Sequence, residues 1–95
     1  MLFTVITINL NNAIGLTATI ESVVNQSFND FEHLIIDGNS SDNSLEIIKH
    51  YVSDTFHWVS ENDNGIYDAM NKGIAMAKGE WIIFMNSGDV FCNNQ

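Results

Sequence analysis

Polar residues in this sequence gather in four clusters, and acids run through them. Asn9, Asn11 and Asn12 form the first; Asp37, Ser40, Ser41 and Asp42 the second; Glu61 and Asp63 the third; Asn86, Ser87 and Asp89 the fourth. The clusters hold five carboxylates and neither lysine nor arginine. Carboxylates brought close together repel unless a cation sits between them. An acidic, oxygen-rich rim also repels a bare diphosphate, but it suits magnesium or manganese, which then bridge to substrate phosphates. These residue types point to a metal-assisted nucleotide or phosphate site.

Other chemistries lack their signatures. No G-x-G-x-x-G follows the first apolar run, no G-x-x-x-x-G-K-[ST] is present, and there is no G-x-S-x-G. His33, His50 and His57 have no ligand spacing to one another and read as packing or surface residues. Cys92 is the single cysteine, which excludes an internal disulfide and a cysteine-rich zinc site; it reads as inert.

The elements that must position the clusters follow from hydropathy. Leu2 to Ile8 reads as a buried strand ended by Asn9, Asn11 and Asn12, and asparagine is a good cap for the helix that follows. Leu16, Ile20, Val23, Val24 and Ser27 then recur at helical spacing. His33 to Ile36 is a second strand. Asn43 and Glu46 have capping-box spacing ahead of a helix striped by Leu45, Ile48 and Val52, with Asp42 as an alternative cap. His57 to Ser60 reads as a third strand. Ile66, Ala69, Met70, Gly73, Ile74 and Ala77 trace an amphipathic helix, closed by a basic residue and a glycine at Lys78-Gly79. Trp81 to Met85 is a fourth strand, with Trp81 and Phe84 expected in the core and Met70, Met76 and Met85 filling gaps.

The order β-α-β-α-β-α-β, with crossovers of about 20 residues, predicts an α/β fold: a parallel sheet covered by helices on both faces, strand order 3-2-1-4. Ligands of such sheets bind beyond the carboxyl ends of the strands, where all four polar clusters fall.

Length and charge bound the partners. The 95 residues suit one domain, and 45% hydrophobic with 16% charged residues is a globular composition. The net charge of -9, with three scattered lysines, excludes nucleic acid as a partner and disfavours an acidic membrane surface. No basic leader precedes the first strand, and the longest apolar run, Trp81 to Met85, is far short of the roughly 18–20 residues of a membrane span. The expected location is cytoplasmic, either free or peripheral to the inner face of the membrane.

Several segments together resemble family-2 glycosyltransferases of the glycosyltransferase A fold. They are Thr4-Val-Ile-Thr-Ile-Asn-Leu-Asn11, Ser22-Val-Val-Asn-Gln-Ser-Phe28 and Phe31-Glu-His-Leu-Ile-Ile-Asp-Gly-Asn-Ser-Ser-Asp42. Glu61-Asn-Asp-Asn-Gly-Ile-Tyr-Asp-Ala-Met-Asn-Lys-Gly-Ile74 and Lys78-Gly-Glu-Trp-Ile-Ile-Phe-Met-Asn-Ser-Gly-Asp89 continue the match in order. The resemblance is strongest to enzymes of bacterial surface polysaccharides, of the colanic-acid type.

The resemblance implies a nucleotide-diphosphate sugar donor, a divalent cation (Mg2+ or Mn2+), and transfer of the sugar to a glycan or lipid-linked acceptor. Carried over by position, Thr7 and Asn9 line the nucleoside pocket and Asp37 contacts base or ribose. Asp63 and Asp68 face the donor. Asn86 to Asp89, including Ser87, falls on the metal-binding stretch, with Asp89 as the metal ligand. Two departures stand out: Asp37 is followed by Gly38 where the family often has a second acid, and Asn86-Ser-Gly88 replaces Asp-x-Asp. Family members continue well past this stretch with the acceptor site and the catalytic base. The expectation is therefore a single donor-binding domain over residues 1–95, truncated after the metal-binding segment and incomplete as a catalyst. A homodimer or a missing C-terminal half would complete it.

Simpler roles compete at several positions. Asp42 reads first as a helix cap, and Asp68 pairs with Lys72 one helical turn on. Two other classes compete for the whole chain: a non-catalytic nucleotide-binding or interaction module, and a receiver-like or flavodoxin-like domain. The last would need a lysine at the end of a late strand and a fifth β-α unit, and neither is present.

Overall fold

A computed structural model describes residues 2–25, 30–51 and 55–90. Four strands, β1 (Phe3–Asn9), β2 (Phe31–Asp37), β3 (Phe56–Ser60) and β4 (Trp81–Phe84), alternate with α1 (Ala13–Val24), α2 (Ser44–His50) and α3 (Ile66–Met76). The sheet is parallel throughout and ordered β3-β2-β1-β4, as the pattern predicts. No helix among the described residues is long and apolar enough to cross a membrane.

Alternation of side chains along the strands buries apolar residues on both faces of the sheet. On one face Leu16 and Ile20 of α1 and Ile48 of α2 pack on Ile35 and Phe56. On the other, Ala69 of α3 packs on Ile6, Leu34 and Ile36. β2 runs three residues further than the His33–Ile36 expected, because Phe31 and Glu32 pair with Phe3 and Thr4, and Asp37 with Asn9.

Local signals were used differently from their simplest reading. Asn12 caps α1 through Gly15 N–H at 3.1 Å. Asn43 makes no side-chain cap bond; Asp42 does the work instead, accepting Ser44 N–H at 2.9 Å and Ala13 N–H of α1 at 3.1 Å. Its pKa lies below the usual carboxylate range because Ser44 donates to it. Lys78 lies beyond the last turn of α3, whose cap Ala77 is extended, so no glycine cap forms. Gly79 is instead required by close approach: a Cβ there would sit 2.5 Å from the Phe3 carbonyl carbon and 2.6 Å from Thr4 N.

The edge position of β4 overturns the expected burial of Trp81, which is 64% exposed, and of Phe84. Apolar type alone does not report that, among the described residues, only β1 flanks this strand. Met85 is buried as expected, while Met76 and Val24 are exposed. Ser27, Val52 and Cys92 lie outside the described residues.

Candidate functional site

The carboxyl ends of the strands are joined by a belt of side-chain hydrogen bonds. Register places Asn9, Asp37 and Ser60 side by side on β1, β2 and β3, and residues in register project to the same face. Asp37 Oδ1 accepts Asn9 Nδ2 at 2.8 Å and Ser40 Oγ at 2.7 Å. Its Oδ2 accepts Ser40 N–H at 2.9 Å and Ser60 Oγ at 2.8 Å. Asn9 Oδ1 in turn accepts Ser87 Oγ at 2.7 Å. The chain Ser60–Asp37–Asn9–Ser87 thus follows the sheet order from β3 to the turn after β4.

Asp37 is fully buried. Burial acts to raise its pKa, but the hydrogen bonds from Ser40, Asn9 and Ser60 outweigh it, and the carboxyl stays below its ordinary value. A carboxylate offers about four acceptor positions, and these four donors take them. Asp37 is built to organise the edge, with its oxygens committed to the protein. Thr7 is also sealed inside, its hydroxyl 2.7 Å from His33 Nε2. Asn11 and Asn12 stitch loops: Asn11 Oδ1 accepts Ser41 N–H at 2.7 Å, and Asn12 Nδ2 donates to Ser87 O at 3.2 Å.

The turn of residues 86–89 is held against α1 by a residue that sequence reasoning missed. Thr19, fully buried, accepts Gly88 N–H at 2.9 Å and donates to Asp89 O at 2.7 Å. A buried threonine on an otherwise apolar helix face was the available signal. Asp89 Oδ2 closes the turn by accepting Asn86 N–H at 2.9 Å, and the Asp89 side chain is exposed.

Asp63 and Asp68 shape the third loop. Asp63 Oδ1 accepts Gly65 N–H at 3.2 Å, and Asp68 Oδ2 accepts Asn64 N–H at 2.9 Å. The expected absence of any basic group from this rim is corrected by Lys72 of α3. It reaches back to Glu61 Oε1 at 3.1 Å, Asn62 O at 3.0 Å and Asp68 Oδ2 at 3.8 Å. Helical spacing gave the Asp68 pair, as expected, but not the reach to Glu61.

A hollow of about 230 Å³ opens at the tip of β1 between Ile8, Asn9, Leu10, Asp63, Ile66 and Ala69. Its walls are mainly apolar, with one carboxylate. Gly38 borders it: a Cβ there would lie 3.2 Å from Asp63 Oδ2 and 3.4 Å from Leu10 Cδ1. A second hollow of equal volume lies between α1 and α2, and no strand-tip residue lines it. Among the described residues no group of three or more His, Cys, Asp or Glu side chains is arranged to hold a metal ion.

The comparisons with known proteins agree with this fold. A glycosyltransferase of Mycobacterium tuberculosis (strain CDC 1551 / Oshkosh), MT1564, itself uncharacterized, is 42% identical over 88 residues, covering 92% of this chain and 34% of that protein. The PGL/p-HBAD biosynthesis glycosyltransferase of Mycobacterium bovis (strain BCG / Pasteur 1173P2) is 34% identical over 91 residues, 93% of this chain and 36% of that one. This chain therefore spans about a third of the length of the curated relatives it matches. Residues 1–349 of TarS from S. aureus, in complex with UDP-GlcNAc, superpose with a TM-score of 0.88 at 27% identity, over 95% of this chain and 27% of that one. The mannosyltransferase PcManGT of Pyrobaculum calidifontis, in complex with GDP-Man and Mn2+, gives a TM-score of 0.88 at 19% identity over 97% of this chain and 29% of that one, a likeness of fold. Residues 4–94 match the family model described as Glycosyl transferase family 2, and the chain belongs to that family.

Proposed function

We propose that this chain is the donor-binding portion of a glycosyltransferase that moves a sugar from a nucleotide diphosphate to a glycan or lipid-linked acceptor of the cell envelope. The observation that carries this reading is the placement of one apolar, carboxylate-bearing hollow and one clamped polar turn on the same sheet edge. The belt through Asn9 ties them into a single surface. The likeness to TarS bound to UDP-GlcNAc supports it.

In this reading the hollow takes the nucleoside, with Asp63 accepting an N–H or hydroxyl of base or ribose. Asn86, Ser87 and Asp89 face the diphosphate. Thr7, Asn9 and Asp37 support the pocket from within the sheet, and Asp68 braces its loop. The diphosphate brings further negative charge to a chain already at -9, so a divalent cation is required at their meeting point. Asp89, a single exposed carboxylate, fits a magnesium or manganese ion whose remaining ligands are substrate phosphates and water. It does not fit a cation held by protein alone. When bound, the ion screens the diphosphate and stabilises the departing nucleoside diphosphate.

Calorimetric titration of the chain with UDP, GDP and their sugars tests this. Binding that strengthens with Mg2+ or Mn2+ and weakens in Asp89→Ala is expected. No heat with any nucleotide in the presence of metal overturns it. The exposed outer edge of β4, with Trp81, Ile82 and Phe84, favours a second reading in which the chain works only in assembly with further polypeptide or a second copy. Light scattering over a concentration series decides whether copies of the chain associate.

A further inference from the structure

The sequence contains one Asn-Gly pair, Asn64-Gly65, and the fold leaves it open to solvent. Asn64 gives its backbone N–H to Asp68 at 2.9 Å, while its side-chain amide has no hydrogen-bond partner among the described residues. Gly65 has φ +112°, and a Cβ at that position would meet nothing within 4 Å. Residue 65 therefore has no side chain of its own beside the backbone nitrogen that follows Asn64, and the space where one would stand is open. Among the described residues that nitrogen makes a single long bond, 3.2 Å to Asp63 Oδ1.

We propose that Asn64-Gly65 is a site of self-modification, at which the asparagine amide is lost through a cyclic imide with water as the co-reactant. Gly65 N, losing its proton, attacks Asn64 Cγ; the N–Cγ bond forms, the Cγ–Nδ2 bond breaks, and ammonia leaves with the proton. Water then opens the ring at either carbonyl. Attack at Cγ restores the normal backbone and leaves aspartate at position 64. Attack at the main-chain carbonyl carbon leaves isoaspartate, with the chain now running through the side-chain carbon. No oxidant or reductant is involved, and either product carries one more negative charge.

The fold supplies its own contrast at Asp37-Gly38. The same ring closure there is blocked: Asp37 is buried with both oxygens hydrogen-bonded, and Gly38 N donates to Asn9 O at 2.9 Å. In the third loop the isoaspartate form would lengthen the backbone between Asp63 and Ile66, both of which line the hollow at the tip of β1. Chemical ageing of this one pair would then reshape the pocket.

The test is peptide mapping by mass spectrometry after incubating the full chain in warm, mildly alkaline buffer. The peptide holding residues 64–65 is expected to gain about one dalton and to split into two chromatographic forms. Peptides holding Asn11, Asn12 and Asn86 should lag well behind, and that holding Asp37-Gly38 should stay a single form. Asn64→Gln should abolish the change with an unaltered circular dichroism spectrum, and Gly65→Ala should slow it. An unmodified 64–65 peptide, or equal modification of the other exposed asparagines, overturns the proposal. The readout needs no nucleotide, so it stands whether or not the donor-binding reading does.

Discussion

β2 buries one carboxylate near each end, and the two are held in different ways. At the start of the strand Glu32 points to the α3 face, where its Oε2 accepts the Thr4 hydroxyl at 2.7 Å and Lys78 N–H at 2.6 Å. Thr4 Oγ1 accepts Gly79 N–H at 2.8 Å. Glu32 thus fastens the connection from α3 into β4. At the other end Asp37 points to the opposite face and collects donors from Asn9, Ser40 and Ser60 through both oxygens. Its belt reaches Ser87, just past the end of β4. The short strand that carries the 86–89 turn is therefore tied at both ends to buried acids of β2, through Thr4 and Lys78 at one end and Asn9 at the other. A buried acid at the carboxyl ends of the strands need not be a ligand: the acid at the opposite end of β2 performs the same anchoring.

The comparison is tested most severely at the glycines beside each acid. Gly79→Ala drives a methyl into the β1 backbone at the Glu32 end, where nothing can rotate away. We expect a loss of about 3 kcal/mol or more, measured by urea denaturation. A loss under about 0.5 kcal/mol would show that the β4 start is not tightly placed and that Glu32 anchors little.

Acidification separates Asp37 from another group on the same strand. His33 lies between the two acids, buried, with Nδ1 lacking a hydrogen-bond partner among the described residues. Burial lowers its pKa from 6.5 to about 4. Between those values the unfolded chain binds a proton that the folded chain refuses, so stability falls as pH drops from about 6.5 to 4. The loss is about 1.4 kcal/mol per unit within the window, or about 3 kcal/mol in all. Asp37 has a depressed pKa, so its contribution is present above the unfolded value of about 4 and is lost as pH falls further, through the folded value. Denaturant midpoints across pH should show both stages in the native chain. His33→Gln should flatten only the upper one, and a native profile level from pH 6.5 to 4 would contradict the burial of His33.

An amide replacement sharpens the contrast between the acids themselves. Asp37→Asn places an NH₂ where an oxygen now accepts two donors, leaving buried donors unpaired, and should cost about 2 kcal/mol. In Glu32→Gln the remaining carbonyl oxygen can take both donors that now converge on Oε2, and the cost should stay under about 1 kcal/mol. Equal losses in equilibrium denaturation would remove the distinction.

What the sequence made legible divides along the same line. Strand order and the gathering of polar clusters on one edge follow from periodicity and from the length of each crossover. Asp37 was recognisable as important from its place directly after an apolar run. That its oxygens turn inward was not, because the donors Asn9 and Ser60 become neighbours only through register. Glu32 was invisible: a charged residue between Phe31 and His33 reads as the solvent side of a strand, and its partners Thr4 and Lys78 reach it only through the fold. Thr19, and the reach of Lys72 to Glu61 and Asn62, escaped for a related reason, since each acts on a loop that the chain brings to it from far along the sequence or against the expected direction. The exposure of Trp81 could not be read at all from residue type, as it depends on which strand has one neighbour.

The mildest change is expected at the glycine beside Asp37. In Gly38→Ala the added methyl would meet Asp63 Oδ2 at 3.2 Å and Leu10 Cδ1 at 3.4 Å, both the mobile ends of side chains. Both can give by a few tenths of an ångström, so stability should change by less than about 0.5 kcal/mol. The hollow that Asp63 and Leu10 line would narrow, however, and Asp63 would be displaced from any group it accepts from. Nucleotide affinity in the same calorimetric titration should fall several-fold while the denaturation midpoint stays near that of the native chain. The Glu32 end predicts the reverse pattern, with folding lost first and binding lost only as a consequence. An unchanged affinity in Gly38→Ala, in a chain that does bind nucleotide, would move the ligand away from this hollow and leave the Asp37 end as structural as the other.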